Sequence, residues 1–134
     1  MFRKVRVGKT FEFDCAHHLP NHRGKCKQVH GHRYRLLVEV EGEIVIDQGS
    51  PEWGMVIDYR TLVDMVRPVV DGFDHTNLND TIPNPTAENL LLVIVERLKR
   101  DLNNNFLERF DLELTKVVLW ETPNSYAEWR GSKQ

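Results

Sequence analysis

Cysteine is scarce: Cys15 and Cys26 are the two thiols in 134 residues, too few for a disulfide framework. Long apolar runs are missing as well. The longest, Leu90 to Val95, is a fraction of the ~20 residues a membrane helix needs, and Met1-Phe2-Arg3-Lys4-Val5 lacks the apolar stretch of an export signal. Together these predict a cytoplasmic chain with reduced thiols and no membrane partner. Nor is charge of one sign in excess. Lys and Arg number 18 against 20 Asp and Glu, a net charge of −2, so no broad basic field exists to hold a nucleic acid. Repeats, low-complexity segments and long linkers are also lacking, and residues 1–134 read as a single domain. With 40% hydrophobic and 28% charged residues, the composition is that of a globular chain able to bury a core.

What is present is periodicity. Val5, Val7, Phe11, Phe13 and Cys15 share one parity, and Arg6, Thr10, Glu12 and Asp14 the other, as in a strand with one buried face. Residues 32–41 repeat the pattern: Tyr34, Leu36, Val38 and Val40 oppose Arg33, Arg35, Glu39 and Glu41. Leu37 breaks it, which suits an edge or an interface. Asp58 predicts the cap of a helix with apolar positions Leu62, Met65, Val66, Val69 and Val70. Pro68 inside that pattern predicts a kink or an early end. Thr86 predicts the N-cap of a second helix, Ala87 to Leu102, stopping at Asn103-Asn104-Asn105. Its run Leu90 to Val95, apolar on nearly every side, marks it as the more buried helix. Leu112 to Glu121 and Ser125 to Trp129 read as strands, and Arg130 to Gln134 as a tail. The order ββααββ predicts an α+β fold, an antiparallel four-stranded sheet with two helices on one face. The open edges of so small a sheet are naturally closed by assembly into a homo-oligomer.

Five of the six histidines, His17, His18, His22, His30 and His32, fall within sixteen residues. In His30-Gly31-His32 both imidazoles share a face if the pair begins a strand, about 6–7 Å apart along the backbone, and can converge on one ion. His17 ends the first strand, and antiparallel pairing returns it beside them. Three neutral imidazoles with an open fourth position make a catalytic zinc site rather than a structural one. The competing readings are solvated loop histidines without a metal, or a closed zinc site using Cys26, His30, Cys15 and one more histidine. Cys15, with the parity of Phe11 and Phe13, fits the core better. His18 takes the other parity from His17 and His22 lies in the loop, so neither joins the ligand set.

Two further residues carry chemistry. Cys26 lies between Lys25 and Lys27, four positions before His30, where cations and a divalent ion favour thiolate. It reads either as a proton acceptor or nucleophile, or as a zinc ligand or unreactive thiol. Glu121 shares the parity of Val117 and Leu119, where a carboxylate needs a partner or a route to solvent. The basic residues Arg23, Lys25, Lys27, Arg33 and Arg35 form a solvated face or receive a polyanionic substrate.

Phe13-Asp14-Cys15-Ala16-His17-His18-Leu19, followed by Cys26-x-x-x-His30-Gly31-His32-x-Tyr34, resembles the 6-pyruvoyl-tetrahydropterin synthase family. The resemblance continues through Gly54-Met55-Val56-Ile57-Asp58-Tyr59, Asp74-His75-x-x-Leu78-Asn79, Asn84-Pro85-Thr86-Ala87-Glu88-Asn89 and Trp120-Glu121-Thr122. The three-residue gap between Cys26 and His30 is similar to the bacterial and archaeal branch that makes 6-carboxy-5,6,7,8-tetrahydropterin, a queuosine precursor. Cys15 stands where the family more often has alanine or serine.

The resemblance implies a tunnelling fold, zinc on His17, His30 and His32, and a catalytic set of Cys26, Asp74, His75 and Glu121. Cys26 would accept a proton, Asp74 and His75 would complete a relay with it, and Glu121 would anchor the pterin through two parallel hydrogen bonds. It implies 7,8-dihydroneopterin triphosphate as substrate, and 6-carboxytetrahydropterin, acetaldehyde and triphosphate as products. It also implies trimers paired into hexamers, with sites at subunit interfaces. Three other readings stand beside it: a pyruvoyl-forming synthase without side-chain cleavage, a zinc hydrolase in which Cys26 has no role, and a non-catalytic zinc module.

Overall fold

The computed structural model describes residues 3–105, 109 and 111–131. Two long strands, β1 (Lys4–His17) and β2 (His30–Glu43), are followed by helix α1 (Tyr59–Phe73) and a two-residue strand β3 (Thr76–Asn77). Helix α2 (Ala87–Asn105), β4 (Glu113–Thr122) and β5 (Ser125–Arg130) complete the element order. The sheet order is β3-β1-β2-β4-β5. The expected α+β architecture holds, with one correction: the sheet has five strands, and β3 pairs parallel to β1 at Cys15–Thr76 and Ala16–Asn77. A two-residue strand is too short to show a period.

Strand parity sets the layers. Phe11, Phe13, Cys15, Tyr34, Leu36, Val38, Val40, Val117 and Leu119 point to one face and are buried. Helix α1 lies over β1, and α2 over β4 and β5. The opposite face carries ion pairs between facing residues, Arg6 with Glu41, Arg33 with Asp14 and Lys116 with Glu39. Leu37, the exception to the alternation, lies half-buried on that face opposite Val118.

Asp58 caps α1 as expected, its side chain accepting from the Arg60 N–H at 2.8 Å. Pro68 does not end the helix: α1 runs on to Phe73. Pro68 is exposed, so the Asp64 carbonyl that loses its helical donor also faces outward, where water can supply one. Thr86 caps α2 through its hydroxyl, which accepts from the Asn89 N–H at 3.1 Å. Helix α2 is not the more buried of the two. Each helix buries six residues, and Leu92 within the apolar run is 53% exposed. Arg130 belongs to β5, and Gly131 donates to the Thr115 carbonyl, so the tail reading fails there. Residues 132–134 lie outside the described residues.

Candidate active site

The ladder between β1 and β2 ends on the pair His17–His30, with Cys15 opposite His32. Residues 17, 30 and 32 therefore continue the inward face beyond Phe13 and Tyr34, with His17 wholly buried and His30 and His32 half-buried. Tyr34, wholly buried and stacked on Phe13 at 5.3 Å, forms the floor and meets His17 and His32 edge-on.

On that floor the three imidazoles converge. His17 Nε2 lies 3.1 Å from His30 Nε2, and the ring centroids of the three lie 4.6 to 5.1 Å apart. His17 Nδ1 is 2.8 Å from the Pro85 carbonyl and His30 Nδ1 is 2.7 Å from the Gln28 carbonyl. A carbonyl only accepts, so each Nδ1 carries a proton and each Nε2 turns inward. Two ring nitrogens at 3.1 Å share a proton or a metal cation between them. His32 Nε2 is buried and has no hydrogen-bond partner among the described residues. Burial, then the neighbouring His17 and His30, hold the His32 imidazole below its ordinary value of 6.5, against the opposing pull of Glu121. Convergent imidazole nitrogens are what a divalent cation requires, and the donor set suits zinc.

Glu121 reaches the same place by a bulge. Trp120 pairs with Tyr126 and Thr122 with Ser125, so Glu121 is an extra residue in β4, a device that re-aims a side chain near sites. Its Oε1 stands 3.1 Å from His32 Nε2 and 3.8 Å from His17 Nε2. His17, His30, His32 and Glu121 thus offer four ligand atoms within 4.8 Å of one another. The candidate for closing a four-ligand site is this carboxylate and neither cysteine. Cys15 is buried in the core, where burial foremost, then Asp74 and Asp14, push its thiol up to about 12. A cleft of about 470 Å³ touches the cluster at His32 and Glu121 but is lined otherwise by Glu12, Arg33, Arg35 and Trp120 of the outward sheet face, with Thr122 and Pro123.

The profile of the 6-pyruvoyl tetrahydropterin synthase family matches residues 6–132. The chain belongs to that family. Among curated relatives, 6-carboxy-5,6,7,8-tetrahydropterin synthase of Haemophilus influenzae is 32% identical over 148 aligned positions, covering 93% of this chain and 98% of that protein. Dihydroneopterin monophosphate aldolase of Pyrococcus furiosus is 36% identical over 118 positions, covering 88% and 90%. The solved structure of Caenorhabditis elegans 6-pyruvoyl tetrahydropterin synthase superposes with a TM-score of 0.79 at 30% identity, covering 98% of this chain and all of that one.

In this member of the pterin synthase family, the other expected catalytic residues lie apart from the histidine centre. Asp74 and His75 form a separate group with Asp14. His75 Nδ1 is 3.0 Å from Asp74 Oδ2, and the His75 side chain is 80% exposed at the β3 side of the sheet. His75 adopts φ +60°, a conformation uncommon for a non-glycine residue. Its N–H is held by the Asp14 carbonyl at 2.6 Å. The Asp14 N–H, first, and His75, second, hold the Asp74 carboxyl below the usual carboxylate range. Cys26 is half-buried in the short turn Lys25–Lys27, outside the ligand cluster, and its carbonyl accepts from the Leu19 N–H at 2.7 Å. Of the basic residues, Arg33 is bound to Asp14 and Glu12, and Arg35 lies over Trp120 at 5.1 Å.

The carbonyls of Pro85 and Gln28 escaped sequence reasoning, because a backbone acceptor has no residue type. The nearest signal was the Asn84–Asn89 motif. There Asn89 Nδ2 donates to the Asn84 carbonyl at 2.8 Å and fixes the loop that carries Pro85.

Proposed function

We propose that this protein is a zinc-dependent 6-carboxy-5,6,7,8-tetrahydropterin synthase of the cytoplasm, acting in queuosine-precursor synthesis. It converts 7,8-dihydroneopterin triphosphate to 6-carboxytetrahydropterin, releasing acetaldehyde and triphosphate. The observation that carries this reading is the convergence of three imidazoles and the Glu121 carboxylate, their ligand atoms within 4.8 Å of one another, in a chain whose curated relatives include enzymes of that name.

His17, His30 and His32 would hold the metal. When bound there, it supplies Lewis acidity that lowers the energy of oxygen anions on the substrate side chain. Glu121, beside the histidines at the β4 bulge, accepts parallel N–H bonds from the pterin and fixes which carbon faces the base. Cys26 removes the carbon-bound proton as thiolate, flanked by Lys25 and Lys27. His75 carries the proton, and Asp74 orients its imidazole through the 3.0 Å contact at Nδ1.

The exposure of His75 and its separation from the histidine cluster support a site completed between copies of the chain. Strand β1 pairs with β3 over two residues only, leaving most of its outer edge without a strand partner among the described residues, and β5 is the other edge. These edges support a trimer, or trimers paired into a hexamer, as the working form. Among the described residues no helix is long and apolar enough to cross a membrane.

The test is product analysis by mass after incubating zinc-loaded protein with 7,8-dihydroneopterin triphosphate. Acetaldehyde together with a 6-carboxy pterin is the expected result. A pyruvoyl product without acetaldehyde would move the chain to the other synthase branch. Preferential cleavage of the monophosphate would move it to the aldolase activity named for the Pyrococcus relative. The Cys26→Ala variant separates all of these from a zinc hydrolase, whose turnover it would leave intact.

A further inference from the structure

The motif Asp74-His75-x-x-Leu78-Asn79 ends on an asparagine that the reading above leaves without a task. Its side chain makes two bonds to one residue. Asn79 Oδ1 accepts from the His18 N–H at 2.9 Å, and Asn79 Nδ2 donates to the His18 carbonyl at 3.0 Å. That is the bond pattern a neighbouring strand would give, at a point where β3 has already turned away into the segment Leu78–Asp80. The base of the bracket is rigid. Leu78 is wholly buried, the Asn79 N–H is held by Asn77 Oδ1 at 3.1 Å, and the Thr81 and Ile82 N–H groups both donate to the Leu78 carbonyl.

The bracket is the last of a series of ties. Asp14 exchanges bonds with Asp74 and His75, Cys15 and Ala16 pair with Thr76 and Asn77, and His18 is clasped by Asn79. His17 sits inside this run, with its peptide to residue 18 held by Asn79 and its ring by the Pro85 carbonyl. Without the bracket, the outer edge of β1 would lose its tie at residue 18, leaving the His30 pairing, the Pro85 carbonyl and the Leu19–Cys26 bond to hold the strand end.

We propose that Asn79 is a positioning residue: as a side-chain substitute for a strand partner, it holds the His17 ligand and the Asp74–His75 pair in one register. This inference rests on the zinc reading of the histidine centre. The experiment measures Zn²⁺ affinity of the full chain by competition with a chromophoric chelator, the visible spectrum of the Co²⁺-loaded protein, and the melting temperature of the metal-free protein. Asn79→Ala is expected to lower Zn²⁺ affinity roughly ten- to a hundredfold and to change the Co²⁺ bands. Thr76→Val, which removes a hydroxyl bond to the Phe73 carbonyl in the same segment, should change neither while shifting the melting temperature comparably. Asn79→Asp keeps the acceptor for the His18 N–H but sets a carboxylate oxygen against the His18 carbonyl. It serves if the alanine variant does not fold, and it too should lose affinity. Wild-type affinity and an unchanged Co²⁺ spectrum in either Asn79 variant would overturn the proposal while leaving the zinc reading intact. A wild-type chain that binds no Zn²⁺ would overturn both.

Discussion

Glu121 has two possible employments that one substitution separates. Its Oε1 lies 3.1 Å from His32 Nε2 and its side chain is 24% exposed, so it stands at the boundary between the metal cluster and the cleft. Glu121→Gln keeps the shape and one acceptor but replaces the second acceptor with an amide donor. If Glu121 anchors the pterin, the change removes one charge-assisted hydrogen bond, worth about 1.5–3 kcal/mol. That lowers kcat/KM roughly 10- to 150-fold. Zinc affinity should hold, since the three imidazoles and the carbonyls of Pro85 and Gln28 are untouched. The assay is steady-state release of triphosphate from 7,8-dihydroneopterin triphosphate at saturating zinc, paired with a chelator-competition titration. A loss of zinc affinity on the order of ten- to a hundredfold, with turnover restored by excess zinc, would refute the reasoning and make Glu121 the fourth ligand.

Other consequences are equally open to measurement. Stripping zinc should leave a folded protein with an unchanged far-ultraviolet circular dichroism spectrum, because Phe13, Tyr34, Leu36 and Leu119 pack without the metal; collapse on chelation would signal a closed structural centre. In the metal-free protein, the depressed value of His32 means the unfolded chain binds a proton that the folded chain does not, below the ordinary 6.5. Stability therefore rises with pH through that window and levels off above about 6.5, and a urea midpoint that falls as pH is raised from 5 to 7 would contradict it. Asp74 adds stability present above its ordinary 3.8 and lost as pH falls through its lower folded value. Leu36→Ala, at a wholly buried position between Phe11 and Leu119, should destabilise the fold by about 2–5 kcal/mol in urea titration.

How much of this was legible in the sequence depended on whether side chains or backbone carried the information. Strand parity is a side-chain signal, so the inward face of β1 and β2 could be followed from Phe13 and Tyr34 to His17, His30 and His32. The inward parity of Glu121 was equally readable. That its neighbours would include the histidines was not, because the bulge beside it depends on the register of β5. Strand β3 has two residues and hence no period. Pro68 argued against a continuous helix on propensity alone, and the burial of Val69, Val70 and Phe73 against the sheet outweighed it. Asp74 and His75 carry no local pattern that sets them apart from a polar turn. What marks them is a left-handed backbone at His75 and a tie to Asp14, both created by tertiary structure.

The pairing of His17 with His30 across the end of the β1–β2 ladder separates two kinds of evolutionary freedom. The ladder fixes how far apart these ligands lie in space, whatever the length of the chain joining them. A single-residue insertion inside β1 would turn His17 to the wrong face and destroy the centre. Between the ends fixed by Asn79 at His18 and by the Gln28 carbonyl at His30, the connecting segment has no strand register to keep, and Cys26 rides on it. Lengthening or shortening it moves the thiol relative to an unmoved set of imidazoles. On the proposed reading, insertion and deletion at this one loop would alter the reaction while leaving the three imidazoles in place.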